Sequence, residues 1–282
     1  MNAYDLCRQR APARSYLFVP GDRPERFDKA WSTPSDAIII DLEDAVAPAR
    51  KSAAREAVAG WLDAARPVWL RVNASDSEWF TADLSLLARP GVAGVMLPKA
   101  DQVPAPLAAQ CSRHGVPIIA LVETATGLRD AERLAASSYV VRLAFGSLDF
   151  QVDLGIEGDD DALLYFRSQL VLASRLAGLP APIDGVTPAV DDAAALRADT
   201  LRSRRLGFGA KLCIHPRQID EVHRVLSPSA DERAWAERVA QAMRESAGAA
   251  VAMDGKMIDR PVLLKAERIL AAAPADGCLR QR

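Results

Sequence analysis

The chain has 282 residues, of which 50% are hydrophobic and 26% charged; these fractions are typical of a soluble globular protein and exclude a disordered one. Its 35 basic and 37 acidic side chains give a net charge of −2, without the basic excess of a general nucleic-acid-binding protein. No apolar run reaches the length of a bilayer span, and the first ten residues lead into no apolar signal segment. We therefore expect a cytoplasmic protein with no nucleic-acid or membrane partner.

The chain also lacks the short motifs of several common enzyme classes. The P-loop, the G-x-G-x-x-G fingerprint and the G-x-S-x-G elbow are absent, so nucleotide-binding, dinucleotide-binding and serine-hydrolase functions have no support. The cysteines are far apart and have no histidine pair beside them, which predicts separate reduced thiols and neither a zinc site nor a disulfide framework. They are Cys7, Cys111, Cys213 and Cys278.

Eight short apolar runs alternate with helical segments along residues 1–228. Strands are predicted at 15–19, 37–41, 68–72, 94–97, 117–122, 140–145, 183–186 and 210–214, with helices between them that include 51–62, 162–177 and 191–206. Strands that are apolar on both faces and separated by amphipathic helices predict a parallel sheet covered by helices. Eight such units in this length favour an α/β fold of the closed (β/α)8 TIM-barrel type over a doubly wound open sheet.

Residues 229–282 predict a smaller C-terminal extension. A helix is predicted at 230–246, and residues 250–259 carry an Asp-Gly turn between two short apolar runs, which is typical of a β-hairpin. Pro261 then begins a last predicted helix that ends near residue 272, and a loose tail follows. We expect this extension to pack either on its own barrel or on a neighbouring subunit.

Ionisable side chains follow nearly every predicted strand. In a parallel barrel the carboxyl ends of the strands meet at one rim, where the active sites of this fold lie. A single acidic residue at such a turn is usually a helix cap, but so many together predict a site. The residues at these ends are Asp22, Arg23, Asp41, Glu43, Asp44, Arg71, Lys99, Glu123, Asp149, Asp184 and His215.

Glu123 and Asp149 are the strongest candidates for a pair of metal ligands, because they end consecutive predicted strands. Neighbouring strands lie about 4.8 Å apart, and two carboxylates at that separation repel each other unless a proton or a cation lies between them. Oxygen ligands without a cysteine or histidine cluster suit Mg²⁺, which takes one or two carboxylates and completes its shell with water and substrate. The alternative is a structural network in which Glu123 pairs with Arg71 or Lys99.

Arg71 ends a predicted buried strand, where an unpaired guanidinium would be costly. It is either a fixed fork for a substrate carboxylate or oxyanion, or a bidentate partner of Glu43 or Asp41, and both roles are compatible. Lys99 could form a Schiff base, but among so many carboxylates charge balance is the better interpretation. For His215 we expect capping or packing and not general-base work.

Four basic residues cluster around the first predicted strand and its loop. Two interpretations are open, a solvated helix face and a binding surface for a phosphate-bearing ligand at the rim. The residues are Arg14, Arg23, Arg26 and Lys29.

Together these residues resemble the HpcH/HpaI aldolase superfamily, in its citrate lyase β-subunit-like branch. Each matching stretch is a weak motif alone, whereas the set in this order is specific to the branch and covers the chain from about residue 14 to about 270. The stretches are 14–21, 40–46, 71–73, 95–99, 121–125, 213–218 and 255–262. One departure is Leu148, which stands where related sequences more often carry an acidic residue, so the resemblance implies the reaction class and not the exact substrate.

The resemblance implies a Mg²⁺-dependent carbon–carbon lyase that cleaves a 3-hydroxyacyl-CoA thioester of the citryl, malyl or citramalyl type, and some relatives run the condensing direction. It implies that Glu123 and Asp149 are the metal ligands. The implied catalytic residues are Arg71, Asp259 and Glu43, and the implied substrate-binding residues are Arg14, Phe18, Asp41, Arg71 and Glu123. In related acyl-CoA lyases an aspartate of the C-terminal hairpin enters a neighbouring subunit, often within a trimer, and Asp259 matches it. A homotrimer or another homo-oligomer is therefore expected.

Two other functions are compatible with the sequence. The first is a class II pyruvate aldolase of the same superfamily, which acts on free 2-oxo-4-hydroxy acids without CoA. The second is a non-catalytic barrel that binds a thioester as a subunit of a larger lyase complex. The basic cluster and Asp259 favour a thioester substrate over a free acid.

Overall fold

The computed structural model describes residues 12–246 and 249–272. Cys7, Cys278 and the predicted C-terminal tail lie outside the described residues. Contacts divide the described chain into two compact units, one up to Val222 and one from His223 onward; the sequence predicts the boundary at 228/229. Cys111 and Cys213 are free and buried.

The first unit is a closed barrel of eight parallel strands in chain order, which confirms the predicted TIM barrel. The observed strands lie within two residues of the predicted ones. They are β1 (Ser15–Pro20), β2 (Ala37–Asp41), β3 (Val68–Arg71), β4 (Val92–Leu97), β5 (Ile118–Val122), β6 (Val140–Phe145), β7 (Ile183–Asp184) and β8 (Ala210–Cys213).

Helices follow the strands of the barrel, as the alternating pattern predicts. They are α1 (Phe27–Trp31), α2 (Lys51–Trp61), α3 (Phe80–Asp83), α4 (Ala105–His114), α5 (Ala125–Arg129), α6 (Ala131–Ala135), α7 (Ser147–Leu154), α8 (Leu164–Leu176), α9 (Ala193–Leu206) and α10 (Ile219–Leu226). Short 3₁₀ turns lie at Pro24–Arg26, Pro48–Arg50, Leu84–Ala88, Asp161–Leu163 and Pro216–Gln218. No helix among the described residues is both long and apolar enough to cross a membrane.

Side chains from all the strands fill the barrel interior. Successive side chains of a strand point to opposite faces of the sheet, so part of each strand faces the barrel interior. These inward side chains form one apolar core. Its buried members are Tyr16, Ile39, Trp69, Met96, Ile119, Leu121, Val141, Ala144, Ile183, Ala210 and Leu212. This core closes the inside of the barrel below the rim and leaves polar side chains at the carboxyl ends of the strands.

The second unit contains α11 (Ala230–Glu245), a hairpin of β9 (Val251–Met253) and β10 (Lys256–Ile258), and α12 (Arg260–Ala271). Its elements agree with the predicted helix, Asp-Gly hairpin and last helix. Asp254 and Gly255 both have positive φ at the turn, +53° and +70°, as this kind of tight hairpin turn requires. The unit has its own apolar core, formed by Ala236, Val239, Met243, Ile258 and Ala266.

Gly94 provides the space for Trp69 inside the barrel, and a substitution there tests the packing. The two residues are register partners on β3 and β4, and a Cβ on Gly94 would lie 2.6 Å from Cη2 of Trp69. Gly94→Ala should lower the free energy of unfolding by about 1–3 kcal/mol through overpacking. Gly60→Ala in α2 is the matched control, since its Cβ meets nothing within 4 Å, and it should raise stability by about 0.4–1 kcal/mol. Denaturant melts of both variants measure this, and equal stability of the two would contradict it.

Candidate active site

A cavity of about 390 Å³ lies at the carboxyl ends of the barrel strands, where this fold places its sites. Its lining combines charged groups with apolar side chains. The residues are Phe18, Pro20, Asp41, Asp44, Ala45, Arg71, Leu121, Glu123, Phe145, Gly146, Leu148, Asp149, Val186, Leu212 and Ile214. The structure thus brings together Phe18, Asp41, Arg71, Glu123 and Asp149, which the sequence singles out separately.

Glu123 directly follows β5 and is only 2% exposed. Its Oε1 accepts a hydrogen bond from the main-chain N–H of Lys99 at 2.7 Å, whereas its buried Oε2 has no hydrogen-bond partner among the described residues. Burial, with the negative charges of Glu43 and Asp149, raises the pKa of Glu123 from 4.5 to about 8. A buried, unpaired carboxylate oxygen is costly, so this atom is placed to meet a proton or a cation.

Asp149 lies in the first turn of α7 and is exposed at the cavity. No hydrogen bond or ion pair of the described chain engages its carboxylate. Gly146, just before this helix, allows Glu123 its position, because a Cβ on Gly146 would lie 2.6 Å from the Glu123 Cβ. The sequence analysis did not single out Gly146 as a site residue, since its role depends on a contact between two strand ends.

The two carboxylates fit a hard divalent cation. The described residues contain no cluster of three or more metal-binding side chains, so water or substrate would supply the remaining ligands, as is usual for Mg²⁺. In the structural alternative, Glu123 pairs with Arg71 or Lys99. The Lys99 side chain instead contacts Glu43, and Arg71 bonds Asp41, so both oxygens of Asp149 and Oε2 of Glu123 stay available.

Arg71 is fixed by Asp41 through a bidentate ion pair. Nε donates to Oδ1 at 2.7 Å and Nη2 donates to Oδ2 at 2.6 Å, and the guanidinium lies 4.8 Å from the ring centre of Phe18. Nη1 lies 3.1 Å from Oε2 of Glu43 and 3.3 Å from Oδ2 of Asp44. Burial alone would lower the pKa of Arg71, but these three carboxylates raise it above its ordinary value. The group therefore stays a cation.

Asp41 shapes the loop that follows β2. In addition to Arg71 it accepts hydrogen bonds from the main-chain N–H groups of Glu43 at 2.9 Å and Ala45 at 3.1 Å. Four protein donors thus hold its two oxygens. Asp41 lines the cavity, as expected for a predicted substrate-binding residue, but its bonds position Arg71 and the loop.

Glu43 and Lys99 form a second pair, in which Lys99 Nζ donates to Oε1 of Glu43 at 3.1 Å. Burial raises the pKa of Glu43 from 4.5 to about 7, against the lowering influence of Arg71. Lys99 has a left-handed backbone, with φ +48°, a strained state for a residue other than glycine. This conformation lets one residue bond Glu123 with its amide and Glu43 with its side chain, in agreement with charge balance.

Lys51 stabilises the loop that follows β2, and the sequence analysis missed this role. Its buried Nζ donates to the carbonyls of Leu42 and Glu43, both at 2.7 Å, and to Oδ1 of Asn73 at 2.6 Å. Its position in the sequence could have indicated this role, because Lys51 stands three residues before Ala54 and therefore lies on the buried face of α2. A lysine in such a place needs acceptors, and the loop provides them.

The structure corrects the prediction that Arg14 binds substrate. The residue precedes β1, at the amino end of the barrel, and its side chain pairs with the buried Asp36 at 3.1 Å. It does not line the cavity, because the strand carries it to the opposite end from Phe18. Of the predicted basic cluster, Arg23, Arg26 and Lys29 are exposed after β1.

Two predicted residues act as helix caps. His215 accepts the N–H of Arg217 through Nδ1 at 3.2 Å, in agreement with the capping interpretation. Asp259 belongs to the second unit, where it is half-buried and caps α12 by accepting the N–H of Val262 at 3.3 Å.

Known proteins resemble this chain over nearly its whole length. A citrate lyase subunit beta-like protein of Deinococcus radiodurans is 36% identical, with 92% of this chain and 96% of that protein covered. A (3S)-malyl-CoA thioesterase of Cereibacter sphaeroides is 34% identical, with 98% and 99% covered. The crystal structure of CitE from Mycobacterium tuberculosis, in complex with magnesium, acetoacetate and coenzyme A, is 37% identical, covers 93% of this chain and 98% of its own, and has a TM-score of 0.80.

The family model described as HpcH/HpaI aldolase/citrate lyase matches residues 14–216. This span holds every barrel strand and every residue of the cavity, and the resemblance inferred from the seven sequence stretches is confirmed. The chain belongs to the HpcH/HpaI aldolase/citrate lyase family.

Proposed function

We propose that this protein is a Mg²⁺-dependent carbon–carbon lyase that cleaves a 3-hydroxyacyl-CoA thioester into a 2-oxo acid and a shorter acyl thioester. The observation that carries the proposal is the unpaired, buried Oε2 of Glu123 beside the free carboxylate of Asp149. The magnesium and coenzyme A bound by CitE, at 37% identity, support the same assignment.

Glu123 and Asp149 would hold the cation. When bound, Mg²⁺ supplies Lewis acidity, which lowers the pKa of a coordinated hydroxyl and orients the adjacent carboxylate. The chain contributes the rigid positions of the two ligands. Gly146 leaves room for one and the Lys99 amide fixes its rotamer, so that little reorganisation accompanies binding.

Arg71 would stabilise negative charge at the reacting carbonyl. Its guanidinium cannot rotate, because Asp41 holds Nε and Nη2 together, and its Nη1 faces the cavity side where Asp44 is more than half exposed. A fixed donor aimed at developing charge is the arrangement that lowers a transition state most effectively. Glu43, with its pKa near 7, can accept or return a proton at neutral pH.

Asp259 would protonate the enolate carbon of the departing thioester, and in the condensing direction it would remove that proton. This role is assigned through the resemblance of residues 255–262, and it requires the carboxyl group to be desolvated in a closed site. We propose that the site is completed within a homo-oligomer, in which Asp259 acts in its own or in a neighbouring subunit.

The first prediction concerns the reaction itself. Purified protein with Mg²⁺ should convert a malyl-type or citramalyl-type CoA thioester into a 2-oxo acid and acetyl-CoA, both quantified by chromatography. Asp149→Ala should lower kcat about 100- to 1000-fold, as expected when one preorganised electrostatic group is lost. Asp231→Ala, in the first turn of α11 and outside the cavity, is the matched control and should retain activity.

Other products would contradict the proposal. Release of free CoA and an intact hydroxy acid would indicate a thioesterase, the activity named for the Cereibacter relative. Cleavage of free 2-oxo-4-hydroxy acids alone would indicate a pyruvate aldolase. Full activity of Asp149→Ala in a chelator would remove the metal assignment.

The second prediction is a pH dependence of Mg²⁺ binding. Because burial raises the pKa of Glu123 to about 8, the metal-free carboxyl is mostly protonated at pH 6, and Mg²⁺ must displace that proton. The affinity should therefore rise by up to about tenfold per pH unit between pH 6 and 8 and level off above 8. Calorimetry in two buffers of different ionisation enthalpy measures the affinity and the released proton. An affinity that is constant over this range would contradict the prediction.

The third prediction separates the acid role of Asp259 from its capping role. Asp259→Asn keeps a good helix N-cap but cannot donate a carboxyl proton, so it should bind Mg²⁺ normally and lose turnover at least about 100-fold. If the residue acts in a neighbouring subunit, mixing Asp259→Asn with Asp149→Ala subunits should restore part of the activity. Turnover of Asp259→Asn at the parent rate would exclude the role.

A further inference from the structure

Four polar side chains outside the cavity are joined to one another by hydrogen bonds and are here called the Lys51 network. They are Lys51 and Arg55 of α2, Asp83 of α3 and Asn73 of the loop after β3. Lys51, Asn73 and Asp83 are 6%, 2% and 1% exposed. Buried polar groups of this kind are costly unless the protein satisfies them, so their bonds define their positions.

Asp83 determines which way the side-chain amide of Asn73 points. Oδ2 of Asp83 accepts the main-chain N–H of Asn73 at 2.9 Å and its Nδ2 at 2.6 Å. Oδ1 of Asp83 accepts Nε of Arg55 at 3.0 Å. Because a carboxylate holds the nitrogen of the Asn73 amide, the amide oxygen faces the other way, where it accepts a bond from Lys51.

The ammonium of Lys51 joins the loop after β2 to the loop after β3. An ammonium has three donors, and Nζ donates to Oδ1 of Asn73 at 2.6 Å and to the carbonyls of Leu42 and Glu43 at 2.7 Å each. None of these three oxygens belongs to a carboxylate, so the bonds orient the two loops and do not form an ion pair. The Leu42 N–H in turn donates to the Arg71 carbonyl at 2.9 Å.

The carbonyls that Lys51 holds belong to the segment that carries partners of Arg71. Oε2 of Glu43 and Oδ2 of Asp44 lie 3.1 and 3.3 Å from Nη1 of Arg71. Oε1 of Glu43 also accepts Nζ of Lys99 at 3.1 Å. A shift of this segment would therefore move Glu43 relative to both cations, Arg71 and Lys99.

We propose that Lys51, oriented by Asn73 and Asp83, is a positioning residue for the reaction. This inference rests on the proposed lyase function. Lys51 does not line the cavity, so it acts through the groups that it holds, Glu43 and Arg71. Groups that stabilise a transition state must be accurately placed, and a displacement of about 1 Å can lower a rate about 100-fold.

The first test replaces Lys51 by methionine, which has a similar length and no donor. Lys51→Met should lower kcat about 10- to 100-fold on a citramalyl or malyl CoA thioester with Mg²⁺, and KM should stay close to the parent value. Mg²⁺ affinity, measured by calorimetry without substrate, should be unchanged, because Glu123 follows β5 and Asp149 lies in α7. A rise in KM at unchanged kcat would overturn the proposal.

The second test asks whether Lys51 and Asn73 act as one unit. Asn73→Leu removes the acceptor of Lys51 and the donor to Asp83, so it should lower kcat as Lys51→Met does. In the double variant kcat should be little lower than in either single variant, as expected for groups that act through each other. A loss equal to the product of the two single losses would show independent roles and overturn the network.

Hydrogen exchange measures the order of the loop segment independently of activity. The N–H groups of Glu43 and Ala45 bond Asp41. In Lys51→Met the peptide that contains them should exchange at least about tenfold faster, as expected when a charge-assisted hydrogen bond is lost.

Leu196→Ala is the matched control for a general loss of stability. Leu196 is buried in α9, which lies between β7 and β8 and far around the barrel from β2 and β3. The cavity that alanine leaves destabilises the barrel, yet this variant should keep the parent values of kcat and of exchange in the loop peptide.

The outcomes separate this inference from the proposed function. Parent-like kcat in Lys51→Met overturns the inference alone. An equal fall of kcat in Leu196→Ala would show that lost stability is responsible, and it overturns the inference as well. A parent protein that binds Mg²⁺ and cleaves neither thioester overturns the lyase proposal, and the exchange rates then decide whether Lys51 holds the segment.

Discussion

Glu123 is buried at the end of β5 with one oxygen held by the Lys99 amide and the other unpaired, and much of the surrounding structure accommodates that arrangement. Ionising such a carboxylate without a partner is unfavourable, as its raised pKa indicates. Gly146 gives it space, and the strained backbone of Lys99 gives it a donor. A cation shared with Asp149 would relieve the remaining cost, so the burial that makes the lone carboxylate unfavourable would favour metal binding.

In the Arg71 cluster, by contrast, every charged group has a partner. Asp41 fixes the guanidinium, the loop amides fix Asp41, and the buried Lys51 fixes the loop carbonyls. A chain of charge-assisted hydrogen bonds in a water-poor environment is rigid. The barrel thus presents an immobile cation and an incompletely paired carboxylate in the same cavity.

Much of this could be predicted from the chain alone, because the relevant signals are local. Strands that are apolar on both faces, such as β2 and β6, fixed the number and direction of the barrel strands, and direction in turn predicted which end carries the site. Glu123 and Asp149 followed from their positions at consecutive strand ends. The Asp-Gly hairpin of the second unit was equally local, since only a few backbone conformations close so short a turn.

Long-range contacts decided the rest. The family resemblance placed Arg14 with Phe18 in the pocket. A strand spans the barrel from end to end, however, so residues four apart lie near opposite rims, and Arg14 pairs with Asp36. The roles of Gly146 and Lys51 depend on side chains 23 and 22 residues away in sequence, Glu123 and Asn73. Sequence by itself determined which groups stand at the rim, because periodicity is a property of neighbours. Only the tertiary structure decided which of them are paired and which remain free for a ligand, because pairing depends on distances between strands.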